Sequence, residues 1–175
     1  MSSAHDSLIR LLRAAHAGER AAALAYVGHA RSVRDPAERE AIGRIGAEEI
    51  AHRARVGEML AELGGAPSAV RERIFSVIGH TLSCFCHVTG WYCPMYGAGW
   101  IERRNIQEYV DAAAFAGQAG RTDLAAELLT MAQVEWDHEQ WFRAKVLGHW
   151  LRRVLPVWGA PPPRAHLGAV PAAGR

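Results

Sequence analysis

Lysine is almost missing from this sequence: of 20 Lys+Arg residues only Lys145 is a lysine. Charge of one sign is missing too, since 18 Asp+Glu leave a formal net charge of +2, too little to suggest a nucleic-acid partner. Cysteine is scarce. Cys84, Cys86 and Cys93 cannot all pair within one chain and sit together, so buried free thiols are expected rather than a disulfide framework or a metal knot. The opening Met1 to Asp6 lacks the basic-then-apolar pattern of a signal peptide. With reduced thiols, that predicts a cytoplasmic protein. No unbroken apolar run reaches the length of a membrane span. The nearest stretch, Ile74 to Ile101, carries no Asp, Glu, Lys or Arg but is interrupted by Gly79, Gly90, Pro94, Gly97 and Gly99. Flavin and nicotinamide fingerprints are absent as well.

What the chain does have is helical periodicity. Leu8, Leu11, Leu12, Ala15, Ala22, Ala23, Tyr26 and Val27 recur at three- and four-residue steps, predicting a helix from about Asp6 or Ser7 to Arg31. Asp35-Pro36-Ala37-Glu38 reads as a helix start, with an N-cap Asp, Pro in the first turn and a capping-box-like Glu. That helix should end near Leu63, at Gly64-Gly65-Ala66-Pro67. A Ser68-capped segment and the uncharged stretch follow. A third long helix is expected from about Met95 to Ala116 or Gly117, and a fourth from an N-cap at Thr122 or Asp123 to about Val154, before Pro156. The domain reading is 1–155 for the helical body and 156–175 for a loosely ordered tail rich in Pro, Gly and Ala.

On these helices polar residues fall where apolar ones belong. Glu19 lies on the first apolar stripe, where a carboxylate is costly unless paired or bound to metal. Glu49-Ile50-Ala51-His52 and Glu135-Trp136-Asp137-His138 each place a Glu and a His one helical turn apart. Glu102 ends the charge-free stretch, with Glu108 a weaker candidate. Glu19 precedes Glu49 by 30 residues and Glu102 precedes Glu135 by 33. Each lone Glu is followed seven residues later by a tyrosine, Tyr26 and Tyr109. Counting from the intervening turns at about 1.5 Å per residue, the carboxylates of each hairpin reach nearly the same height. The pattern is one hairpin used twice.

Glu-x-x-His alone is a weak signal, and an Ala-rich bundle with coincidental polar residues explains either pair. The joint pattern matches the carboxylate-and-histidine box of ferritin-like bundles. The expected fold class is therefore all-α: a ferritin-like four-helix bundle with an additional helical or irregular connection between the two hairpins. Glu19, Glu49, His52, Glu102, Glu135 and His138 are the metal-ligand candidates. Four carboxylates and two imidazoles leave two divalent ions near neutral, suit iron and leave manganese open, and leave room for O₂. Asp137 is either a hydrogen-bond partner of a ligand histidine or a solvated surface group.

His16-Ala17-Gly18-Glu19, with Tyr26, Glu49-x-x-His52, Glu102 with Tyr109, and Glu135-x-x-His138, resembles the demethoxyubiquinone hydroxylase family over about residues 8 to 150. The resemblance implies a di-iron monooxygenase of coenzyme Q biosynthesis, with those six residues as iron ligands and Glu49 and Glu135 as bridges. It implies O₂ as co-substrate, an external two-electron donor, an apolar small-molecule substrate of quinone type, and peripheral contact with a membrane. Glu108 stands where the family tends to have His. The Cys84-Phe85-Cys86 and Trp91 to Tyr96 segments match no family feature, which puts the substrate in doubt more than the metal site. Ile74 to Ile101, with Trp141, Phe142, Trp150 and Trp158, forms either a membrane-facing apolar surface or ordinary core. Tyr26 and Tyr109 are the catalytic candidates, as partners of the oxidant or relays for electrons, with packing the plain alternative. The competing function is a ferritin- or rubrerythrin-like protein that oxidises iron or scavenges peroxide. Self-association is left open.

Overall fold

The computed structural model describes residues 3–168. Within them the chain is all-helical: α1 (Ala4–Ser32), α2 (Pro36–Glu62), α3 (Ala69–Val88), α4 (Tyr92–Gln118) and α5 (Thr122–Gly148), then two short 3-10 turns at Trp150–Arg153 and Arg164–Gly168. This is the fold class expected from the sequence, and the connection between the hairpins is a full helix, α3. The helices divide between two compact units, residues 12–94 and residues 95 onward together with the first eleven.

In the unit of residues 12–94, local chemistry sets the helix ends. Asp35 is extended (φ −69°, ψ 121°) and its carboxylate accepts the Ala37 N–H at 2.8 Å, with Pro36 in the first turn where its missing donor costs nothing. At the other end Gly64 turns left-handed (φ +70°), and the Gly65 N–H closes on the Leu60 carbonyl. Ser68 caps α3 through the Arg71 N–H. Ile42, Val56, Met59 and Leu60 are fully buried, the apolar stripe of an amphipathic helix. Trp91, just before α4, donates its indole N–H to Glu38 at 2.7 Å.

The α3 helix runs parallel to α1, in step. His16 meets Glu72 and Arg20 meets Ser76, both at a sequence offset of 56. Further along, Gly79 lies against Ala21 and Leu24, and Gly28 against Ser83. A Cβ at Gly28 would stand 2.3 Å from the Ser83 carbonyl oxygen, and one at Gly79 2.8 Å from the Ala21 carbonyl oxygen. Only glycine allows backbones this close. The inner seam of α3 is thus small or polar, while Val70, Ile74, Val77, Ile78, Leu82, Phe85 and Val88 are exposed. The usual arrangement of an amphipathic helix is inverted. Cys86 faces inward, whereas Cys84 and Cys93 are exposed, which corrects the expectation that all three thiols are buried. On α3, Cys84 and Cys86 lie two residues apart and so on different sides of the helix, which decides which of the two is covered.

In the other unit, α4 ends through Gly120 (φ +78°), with the Arg121 N–H returning to the Ala116 carbonyl. The N-cap of α5 is Arg121, not Thr122 or Asp123, because the Asp123 carboxylate is taken by the Arg121 guanidinium at 2.6 Å. The helix stops at Gly148, short of Val154: His149 is extended (φ −93°, ψ 145°) and its Nδ1 accepts the Leu151 N–H to start a 3-10 turn. Ile106, Leu124, Leu128, Phe142 and Val146 are buried.

Residues 156–168, expected as a loose tail, are fastened along α5 by specific bonds. Trp158 donates its N–H to Glu139 at 2.6 Å, Trp136 donates to the Pro162 carbonyl, and Arg164 grips Asp137 through two nitrogens. Leu167 is buried. The physical reason is that the segment carries Trp158, Arg164 and Leu167 among its prolines and glycines, and each finds a partner. Residues 169–175, the rest of that expected tail, lie outside the described residues.

Candidate metal centre

Each hairpin assembles one triad. In the unit of residues 12–94, Glu19 comes from α1, and Glu49 and His52 come from successive turns of α2. One ligand atom from each lies within 4.8 Å of the others. In the other unit, Glu102 of α4 meets Glu135 and His138 of α5 within the same limit. The height match inferred by counting residues from each turn is therefore realised in both hairpins. All six side chains are buried, and Glu49, Glu102 and Glu135 have no exposed surface at all. Ionised carboxylates are not placed together in an apolar interior without strong compensation. Two carboxylates and one imidazole, oxygen and nitrogen donors from two helices, make a donor set suited to a first-row divalent ion. These buried Glu/His groups could hold metal, and the two sets are alike in composition.

Around the triads lie further polar residues, of which the sequence had singled out only His16. The Asn105 amide donates to Glu102 Oε2 at 3.1 Å, one turn along α4, fixing one carboxylate oxygen. His16, one turn before Glu19, is bonded through Nδ1 to Glu72 Oε1 at 2.7 Å. Arg53, one turn beyond Glu49, donates to Glu72 Oε2 at 2.9 Å. Burial alone would raise the Glu72 carboxyl, but the bonds from His16 and Arg53 outweigh it and hold the group below its ordinary value. In the other unit Glu139, one turn beyond Glu135 and fully buried, accepts from Trp158 and from Arg143 at 2.6 Å. The signal for Glu139 was available: Glu135, Glu139 and Arg143 recur every four residues on α5.

Of the two readings of Asp137, the structure shows the surface one: it is exposed and engaged by Arg164, while its neighbour His138 is buried. Glu108 is half-buried and belongs to neither triad. Tyr26 and Tyr109 are both buried, each in the hairpin of its own lone Glu. Tyr26 stacks near His29, with ring centroids 6.3 Å apart, and its Cβ lies against Gly46 of α2. Burial pushes the His29 imidazole down to about 4.

Comparison with known proteins agrees with this geometry. The family model described as "Ubiquinone biosynthesis protein COQ7" matches residues 6–111. That span contains Glu19, Glu49, His52 and Glu102, while Glu135 and His138 lie beyond it. The 3-demethoxyubiquinol 3-hydroxylases of Bordetella parapertussis and Bordetella bronchiseptica are each 45% identical over 58 residues, 33% of this chain and 26% of theirs. The corresponding enzyme of Laribacter hongkongensis matches to the same identity over 28% of its length. The chain thus spans about a quarter of the length of the curated relatives it matches. No solved structure matches. With more than half of its residues under the family model, and with the paired Glu and Glu-x-x-His pattern folded into two buried triads, this chain belongs to the ubiquinone biosynthesis protein COQ7 family.

Proposed function

We propose that this protein is a di-iron monooxygenase that uses O₂ to hydroxylate a quinone-type or other apolar aromatic ring. The observation that carries the reading is the pair of buried Glu, Glu, His triads in a chain of this family. Glu19, Glu49 and His52 would hold one ion and Glu102, Glu135 and His138 the other. Iron is the proposed metal and manganese its alternative, since both take this donor set. When bound, the ion pair supplies electrons to O₂ and a reactive oxygen to the ring. One oxygen atom enters a C–H bond and the other leaves as water, so two electrons and two protons come from an outside donor.

The chain's own residues set the conditions for this chemistry. Four carboxylates balance two divalent charges, so the loaded site is close to neutral and tolerates burial. Asn105 holds one oxygen of Glu102 and so fixes the orientation of that carboxylate. Complete burial of Glu49, Glu102 and Glu135 excludes bulk water from the donors. Tyr26 and Tyr109 are the proposed catalytic residues, each two turns along the helix from its lone Glu, and their phenols would hold or pass a proton.

No helix of the described residues is long and apolar enough to cross a membrane. The outward apolar face of α3, with exposed Trp150, Val154 and Leu155 beyond α5, supports peripheral contact with a bilayer, from which an apolar substrate could enter. The protein would then work at the cytoplasmic surface of a membrane.

The test is metal content and turnover on the same preparation. Two irons per chain and ring hydroxylation, both lost in a folded Glu135→Ala variant, are expected. Unchanged turnover in Glu135→Ala would sink the reading. Rapid iron loading without ring hydroxylation would favour an iron-oxidising protein instead.

A further inference from the structure

The two hairpins repeat more than their ligands. In the first, the residue three before the lone Glu is His16 and the residue four after the paired Glu is Arg53; both bind Glu72, which belongs to neither hairpin helix. In the second, the corresponding positions are Gly99, three before Glu102, and Glu139, four after Glu135. Both receive Trp158. Its indole N–H donates to Glu139 at 2.6 Å, and its six-membered ring lies where a Cβ at Gly99 would come within 2.4 Å. Each hairpin is therefore gripped one turn outside its ligand layer, at equivalent positions on both helices, by a side chain from a third segment. The chemistry differs: α3 supplies a carboxylate between two cation-capable groups, and the 156–168 segment supplies an indole between a void and a carboxylate.

Both grips are built, not incidental. The Glu72 side chain is 15% exposed and Arg20 joins at 3.5 Å. Glu139 is fully buried, and its charge is balanced by Arg143, whose guanidinium also donates to the carbonyls of Trp158 and Gly159 and lies 5.2 Å from the Trp158 ring centroid. Tyr96 closes the far edge of the indole at 5.1 Å and donates to the Pro156 carbonyl. A helix pair pinned one turn from its ligands cannot rotate or slide without moving those ligands, and groups that orient ligands set metal affinity.

We propose that Glu72 and Trp158 are positioning residues that clamp the two triads separately, Glu72 setting the affinity of the Glu19, Glu49, His52 ion and Trp158 that of the Glu102, Glu135, His138 ion. This rests on the dinuclear reading above. Neither residue belongs to a triad, so each acts on the ligands through the helices it joins.

The test uses Co(II) binding to the full chain by equilibrium dialysis, in backgrounds that keep one triad. With His138→Ala retaining the first ion, adding Glu72→Gln should weaken that ion by about tenfold to a hundredfold, while adding Trp158→Phe should leave it unchanged. With His52→Ala retaining the second ion, the pattern should reverse. Trp158→Phe keeps an aromatic ring but loses the N–H and the reach of the fused indole, so both contacts of this grip are weakened. Should Glu72→Gln fail to fold, Arg53→Met reads the same grip from α2. Equal weakening of both ions by either variant, no weakening by either, or loss of both ions on removing one histidine would overturn separate clamping. Wild-type chain that binds no Co(II) would instead remove the dinuclear reading on which the clamps depend.

Discussion

Replacing Gly28 with alanine puts a number on the α1–α3 contact, provided Gly43→Ala is measured beside it. Both glycines are interior to helices, so each substitution gains about 0.8–1 kcal/mol of helix propensity. At Gly43 a Cβ meets nothing within 4 Å, and the whole gain should appear. At Gly28 the new carbon falls 2.3 Å from the Ser83 carbonyl oxygen and 2.6 Å from the Ser83 Cα. These are backbone atoms that no rotamer change can move, so α3 must lift from α1. Overpacking of this kind costs about 1–3 kcal/mol. Propensity cancels between the two variants, leaving the overpacking cost as their difference. At about 2–4 °C per kcal/mol for a chain of this size, Gly28→Ala should melt roughly 2–12 °C below Gly43→Ala, which itself should melt slightly above wild type. Circular dichroism melts of the three proteins, with urea midpoints as a second measure, decide it. Equal melting of the two variants would show that α3 is not seated on the α1 backbone as described.

Other outcomes follow from buried and exposed groups. His29, held down to about 4 against 6.5 when unfolded, binds a proton in the unfolded chain before it does in the folded one. Stability should therefore fall as pH drops from about 6.5 to about 4, by on the order of 3 kcal/mol from this group alone. His29→Gln should remove that share of the slope relative to wild type in pH-dependent urea unfolding, and an unchanged slope would refute it. Iodoacetamide near pH 8 should label Cys84 and Cys93 in the folded protein. Cys86, buried and pushed up to about 11, should react only after denaturation; mass spectrometry after brief labelling would count the sites. Arg164→Ala should cost less than about 1 kcal/mol, because its partner Asp137 is solvent-exposed and such pairs are weak.

Much of this was legible in the sequence because the informative residues obey one period. Glu19, Glu49, His52, Glu102, Glu135 and His138 fall on helix stripes at spacings that counting alone brings to one level, and each hairpin closes as counted. Asp35-Pro36 and Ser68 mark helix starts by local bonding that needs no tertiary context. The misses have a common cause. Glu72 and Trp158 act through partners far away in the chain, and no local pattern advertises that. The end of α5 at Gly148 and the fastening of residues 156–168 depend on side chains inside a stretch whose composition reads as loose. The outward-facing apolar residues of α3 run against the usual burial rule, and an uncharged stretch does not say which side of a helix is covered.

The seating of α3 separates two kinds of specification in one helix. Its inner seam, Glu72, Ser76, Gly79 and Ser83, encodes where the helix sits, through bonds and close approaches that tolerate little change. Its outer residues, from Val70 to Val88, encode only which medium the helix faces. The two can be rewritten independently. Exchanging the outer Val, Ile, Leu and Phe for Lys, Glu and Gln would turn this chain into one that favours water without disturbing its register on α1. Related sequences could in the same way drift between media while keeping one fold.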